Sequence, residues 1–218
     1  MRWLKELVII VVVALALSFL VRTFLVQTFY VPSQSMENTL LPNDRILASK
    51  ITTNLNGVKR GEVVVFTDPS NWLPDSYLQQ NTNPVSKALE FLGVLPSGAG
   101  DDLVKRVIAV GGDRISCCSA DGQIVLNGVP LDEPYLKPGT RTDQIAFDVV
   151  VPEGSVFVMG DNRPESADSR YHLRENNGGV PVDDVVGRVF VSIWPLDRIS
   201  TYPIPIVPFD NPALNQQQ

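Results

Sequence analysis

The chain has 218 residues, with 24 acidic against 18 basic side chains and a formal net charge of −6. That balance excludes a surface of clustered Lys and Arg for binding phosphates, so no nucleic-acid partner is expected. A single histidine, His172, and two adjacent cysteines, Cys117 and Cys118, exclude the familiar zinc sites, and no metal or cofactor is expected.

Residues 7–21 (LVIIVVVALALSFLV) form an unbroken run without a charge or an amide, Arg22 interrupts it, and 24–26 continue it. A helix rises ~1.5 Å per residue, so ~20 residues cross a ~30 Å hydrocarbon core. Residues 7–26 reach that length and are expected to be a transmembrane helix, with Arg22 snorkelling at the far interface. Arg2 and Lys5 precede the run and favour a cytoplasmic N-terminus over residues 1–6. The rest of the chain then lies on the external side, periplasmic or lumenal. A cleavable secretory signal is the alternative, because Ala14-Leu15-Ala16 is a small-x-small site. Apolar residues continuing past Ala16 without a polar break weigh against it.

After Pro32 the pattern is that of strands. Residues 62–67 (EVVVFT), 103–110 (LVKRVIAV), 123–127 (QIVLN), 146–151 (AFDVVV), 155–159 (SVFVM) and 185–194 (VVGRVFVSIW) are rich in β-branched side chains and are bounded by turn residues. Asp121-Gly122 and Asn127-Gly128 are tight-turn dipeptides, so 115–131 reads as a small meander. Long amphipathic helices do not alternate with these strands, which excludes a doubly wound α/β sheet. Residues 68–100 are rich in Pro, Asn and Ser and read as an insertion, with one short helix opened by Asn83 and Pro84. Residues 203–218 are proline-rich and then polar, and are expected to be a flexible tail.

A Ser-His-Asp triad would have to use His172, a lone histidine in a polar segment. Gly111-Gly112-Asp113 lacks the spacing of a dinucleotide loop and reads as a turn. The informative segment is 31–40 (VPSQSMENTL), directly after the apolar run. Serines beside proline are commonly turn formers, but a hydroxyl here would lie where a membrane-held substrate could reach it. Such a hydroxyl needs a base, and without histidine a neutral lysine is the next choice. Free lysine titrates near 10.4, so the lysine must be desolvated. Lys105 sits inside LVKRVIAV, sharing a strand face with Leu103 and Val107 while Arg106 points the other way. Lys50, Lys59, Lys87 and Lys137 lie in more polar settings. A charge that guards an edge strand against mispairing is an equal reading of Lys105 at this point.

Three segments, in this order behind an apolar N-terminus, resemble the type I signal peptidases. They are Ser33-Gln34-Ser35-Met36-Glu37-Asn38-Thr39-Leu40, the run from Lys105 to Ile115 (KRVIAVGGDRI), and the run from Gly160 to Arg170 (GDNRPESADSR). Asn43-Asp44-Arg45-Ile46-Leu47 is similar to a fourth family segment. Asn38 and Ala109 depart from the residues commoner in the family. The resemblance implies that Ser35 is the nucleophile and Lys105 the general base of a serine endopeptidase. It implies an oxyanion hole made by the Ser35 N–H and the Ser33 hydroxyl, and a Ser166 hydroxyl that hydrogen-bonds and orients the Lys105 amine. Arg106 with Asp161, and Asp168 with Arg170, become structural ion pairs, and Gly160 and Asn162 support the same region. Val31, Leu40 and Val104 would line shallow pockets for small side chains.

The substrates implied are secretory precursors, cleaved after small-x-small sites, and the remaining partner is membrane lipid. The fold implied is mainly β: an antiparallel catalytic domain over 27–113 and 154–202, and a small β extension over 114–153. An anchored β module that only binds a partner, and a Ser-Lys protease of another kind such as a self-cleaving regulator, are the competing functions.

Overall fold

The computed structural model describes residues 2–51, 57–69, 72, 102–203 and 207–215. The chain opens with helix α1, Arg2–Phe24, and turns directly into strand β1, Val26–Tyr30. The helix thus contains residues 7–24 of the expected apolar span and stops short of its expected end at Val26. Val26 leaves the helix because β1 pairs antiparallel with β2, Arg45–Ser49, so that Val26 faces Ser49 and Tyr30 faces Arg45. The sheet bonds supply the backbone partners that a continued helix would have supplied. Among the described residues no helix is long and apolar enough to cross a membrane. The described part of α1 nevertheless exposes its large apolar side chains, including Leu7, Val8, Ile9, Ile10, Val12 and Leu17.

The remaining strands are β3 (Val63–Thr67), β4 (Asp102–Val110), β5 (Arg114–Cys117), β6 (Ile124–Leu126), β7 (Val129–Pro130), β8 (Phe147–Val150), β9 (Ser155–Met159), β10 (Gly179–Pro181), β11 (Val185–Trp194) and β12 (Ser200–Thr201). They form two sheets. The larger has the order β1-β2-β11-β3-β4-β9-β10, with β12 on β11, and the smaller has the order β7-β6-β5-β8. Every pairing is antiparallel. The hairpin between β6 and β7 turns on Asn127 and Gly128, both at positive φ, which is the two-residue turn that dipeptide favours.

Among the described residues, buried apolar side chains gather in three clusters. One joins the two sheets: Ile108, Ala109, Phe157 and Met159 pack against Ile115, Ile124, Leu126 and Phe147. A second holds Phe29, Val31, Met36, Leu40, Ile46 and Val65, and a third holds Val64, Phe66, Leu103, Val107 and Val158. The described part of the tail is not free-standing, contrary to the expectation for 203–218. Phe209 and Leu214 enter the cluster between the sheets, Phe209 stacks on Tyr135, and the Leu214 carbonyl accepts from Asn127 Nδ2 at 3.0 Å. Burying two large apolar side chains outweighs the entropy of ordering a short, proline-restricted segment. Cys117 and Cys118 are joined as a disulfide. The helix expected after Asn83 lies outside the described residues. The start of that insertion is anchored by Trp72, which packs edge-on to Phe66 and stacks on His172 at 4.3 Å.

Candidate active site

The sheet topology leaves a gap beside β4. Strand β3 runs along β4 from Asp102 to Arg106, but β9 pairs only with Arg106, Val107, Ala109 and Val110. Beyond Met159 the chain leaves β9 as the turn at Gly160 and Asp161, and the segment after β1 packs against that turn. Asn162 N donates to Ser35 O at 3.0 Å, and Asn162 Nδ2 donates to Gln34 O at 3.1 Å. Gly160 is obligatory in this packing, since a Cβ there would collide with the Ser35 carbonyl oxygen and with Ser166 Oγ.

The segment carrying Ser35 is a tight, self-bonded turn. Glu37 N donates to Gln34 O, while Thr39 N and Leu40 N both donate to Met36 O. Met36 and Leu40 point into the second core cluster and anchor the turn from below. This presents Ser35 to β4, where Lys105 Nζ donates to Ser35 Oγ at 2.6 Å. Both side chains are buried. Ser33 Oγ lies 3.2 Å from Ser35 Oγ, and the Ser35 backbone N–H has no acceptor among the described residues.

Burial pushes the Lys105 amine down to about 8. The carboxylates of Asp168 and Asp161 oppose that shift and Arg170 adds to it, but desolvation dominates. Both carboxylates are already engaged. Arg106 forks onto Asp161, Nε to Oδ1 at 2.8 Å and Nη2 to Oδ2 at 2.6 Å, and Arg170 forks onto Asp168 at 2.8 and 2.9 Å. Asp168 also accepts from Gly160 N at 3.0 Å and so ties its ion pair to the turn under Ser35.

The structure thus gathers Ser35, Lys105, Ser33, Arg106, Gly160, Asp161, Asn162, Asp168 and Arg170 into one region. Three expected residues stand otherwise. Ser166 is buried, but its hydroxyl has no hydrogen-bond partner among the described residues. The expected bond to the Lys105 amine is not made, because that amine is directed at Ser35 while Ser166 packs against Gly160. Leu40 has no exposed surface and Val31 only 2%. Both are core residues, and of the three expected pocket residues only Val104 is partly exposed.

Several supporting residues escape a reading of the sequence. Arg163, with no exposed side-chain surface, donates to both oxygens of Glu133 at 3.0 and 2.5 Å and to Gly160 O at 3.0 Å. Thr39 Oγ1 donates to Asp161, and Arg106 lies over the Tyr135 ring at 4.1 Å. Asp113, fully buried, receives Arg60 and the Asn127 amide. An arginine within a Gly-Asp-Asn segment hints at a buried role for Arg163, but nothing near Glu133 marks it as the partner. His172, the lone histidine of a polar segment, is half-buried against Trp72, and burial lowers its pKa.

The family profile described as "Signal peptidase, peptidase S26" matches residues 2–194. The chain is 39% identical to the probable signal peptidase I of Mycobacterium leprae, over 89% of this chain and 78% of that one. It is 37% identical to the signal peptidase I of Mycobacterium tuberculosis over 89% of this chain and 74% of that one. It is 35% identical to the probable signal peptidase I-2 of a Synechocystis species over 90% and 76%.

Proposed function

Because the chain belongs to the signal peptidase family, peptidase S26, we propose that it is a membrane-anchored serine endopeptidase that removes N-terminal signal peptides from secretory precursors after small-x-small sites. One observation carries the mechanism: the buried Lys105 amine lies 2.6 Å from the Ser35 hydroxyl and is lowered to about 8. An amine with that value is neutral in a useful fraction of molecules near neutral pH, and a neutral amine accepts the hydroxyl proton.

In the proposed reaction Ser35 Oγ attacks the scissile carbonyl carbon and Lys105 Nζ takes the proton. The Ser35 N–H and the Ser33 hydroxyl donate to the oxyanion. The C–N bond then breaks, the leaving amine takes the proton from the Lys105 ammonium, and the signal peptide remains as an ester on Ser35. Water, deprotonated by Lys105, hydrolyses that ester. The precursor would lie as an added strand beside residues 103–105, the part of β4 that β9 leaves open. Successive side chains of a strand alternate in direction, so two small pockets near Val104 would read alternate residues.

Anchoring rests on the uncharged run 7–21 and on the exposed apolar side chains of α1, which water would solvate poorly. Arg2 and Lys5 argue for a cytoplasmic N-terminus, with the sheets on the external side.

The test is precursor cleavage by purified wild type beside Ser35→Ala and Lys105→Ala, with the cut site mapped. Near-normal cutting by either variant, or a cut that does not follow a small-x-small site, would overturn the proposal.

A further inference from the structure

The turn that carries Ser35 is held by the small sheet as well as by its own. Residues 133–137 belong to the connection between β7 and β8, and three of their groups reach the turn. Lys137 Nζ donates to Glu37 Oε2 at 2.5 Å. Asn38 Nδ2 donates to Tyr135 O at 3.0 Å and to Leu136 O at 3.2 Å. The Lys137 backbone N donates to Asp161 O at 3.1 Å, beside the carboxylate that accepts Thr39.

We infer that Asn38 and Lys137 are positioning residues that clamp the Ser35 turn to the small sheet. The inference rests on the peptidase reading above. Core packing of Met36 and Leu40 fixes the underside of the turn, and Asn162 holds Gln34 O and Ser35 O at its start. Asn38, at φ +86°, stands at its outer edge, a conformation that asparagine adopts more readily than most residues. Its amide and the Glu37 carboxylate, which the Asn162 amide also reaches at 3.3 Å, attach that edge to the small sheet, beside the Thr39 hydroxyl on Asp161. Tilting the turn moves Ser35 Oγ away from Lys105 Nζ, and a displacement of ~1 Å can cost ~10²-fold in rate. Lys137 thereby gains a role distinct from that of a base, acting on Ser35 through Glu37.

The experiment compares the full chain with Asn38→Gly, which keeps the positive φ and removes the amide, with Lys137→Ala, and with both together. The expected result is a kcat lowered ~10-fold by each change and ~100-fold by both, with KM held within about twofold. Hydrogen exchange over residues 33–40 should rise while exchange in β3 and β9 stays unchanged. Lys137→Arg should restore kcat, because a guanidinium also reaches Glu37. A kcat unchanged in the double variant, or exchange that rises equally in the core strands, overturns the clamp. The two failures separate: wild-type protein that cuts no precursor overturns the peptidase reading and with it the positioning role. Normal cutting by the double variant overturns this inference alone.

Discussion

Arg163 and Glu133 form a doubly hydrogen-bonded ion pair that joins the two sheets, and its third arm, Arg163 Nε, holds the carbonyl of Gly160 under the Ser35 turn. Neither side chain is more than 3% exposed. Removing one partner of a buried pair leaves the other charge uncompensated, at a cost of about 3–5 kcal/mol. Glu133→Gln is therefore expected to lower the stability of the folded chain by an amount near that range, measured by urea unfolding. Arg163 then keeps only the neutral acceptors Gly160 O and Thr142 Oγ1 for its buried charge, so the Gly160 turn is strained and precursor cleavage should fall as well. A stability within 1 kcal/mol of wild type, on the scale of an exposed pair, would mean the pair is solvated in solution.

The Lys105 amine gives a pH dependence whose sign is fixed. The folded-state value of about 8 lies below the 10.5 of a free amine. The unfolded chain therefore binds the extra proton between those values, and stability rises with pH across that window. Below pH 8 the burden of burying the charged amine is fully present, and above 10.5 it is gone. Lys105→Met is expected to be more stable than wild type at pH 7 and to lose that advantage between pH 8 and 10.5, by thermal unfolding at stepped pH. Cleavage by wild type should rise with pH, with its ascending limb near 8, well below the range of an exposed lysine.

Gly160→Ala tests the closeness of the two turns. The added methyl would meet the Ser35 carbonyl oxygen and Ser166 Oγ. The backbone contact is not relieved by a rotamer change, so the Ser35 turn has to shift. Cleavage should fall at least ~10²-fold, with the strands intact by circular dichroism. Cleavage above a tenth of wild type would show that the turns separate at little cost.

Ser33→Ala should lower kcat by ~10²–10³ if its hydroxyl donates to the oxyanion, with little change in KM. Its placement 3.2 Å from Ser35 Oγ allows that role. An unchanged kcat would leave the Ser35 N–H as the sole donor of the two proposed.

How far the sequence discloses this protein depends on whether the signal is local. β9 and β11 are read with their observed bounds, and β3, β4, β6 and β8 to within a residue or so, because β-branched runs are bounded by turn residues. β1 and β2 are missed because VQTFY continues from an apolar run and RILAS is short and mixed; their pairing with each other and with β11 makes them strands. The Arg106–Asp161 and Arg170–Asp168 pairs follow from the resemblance. Arg163–Glu133 and Asn38 with Tyr135 do not, since their partners lie far apart in sequence and only the docking of one sheet on the other brings them together. The residues expected to line pockets show the opposite limit: Leu40 is apolar and near Ser35, and sequence alone does not tell a pocket wall from the core behind it.

Leu214 has no exposed surface. Leu214→Ala should cost about 2–5 kcal/mol, with the spread set by how far the cavity collapses. A loss of less than 1 kcal/mol, by chemical denaturation, would show that the segment detaches readily.

The place of Phe209 and Leu214 also orders events in time. The cluster between the sheets takes residues from β4, β5, β6, β8 and β9 and is completed by side chains that follow β12 in the chain. Its contacts span a large separation in sequence, and such contacts close slowly because the loop entropy is spent before they form. A chain emerging from the N-terminus can assemble the β5–β8 meander early. It can seal that apolar face only when its last described residues arrive, so the half-built face stays exposed to mispairing throughout synthesis.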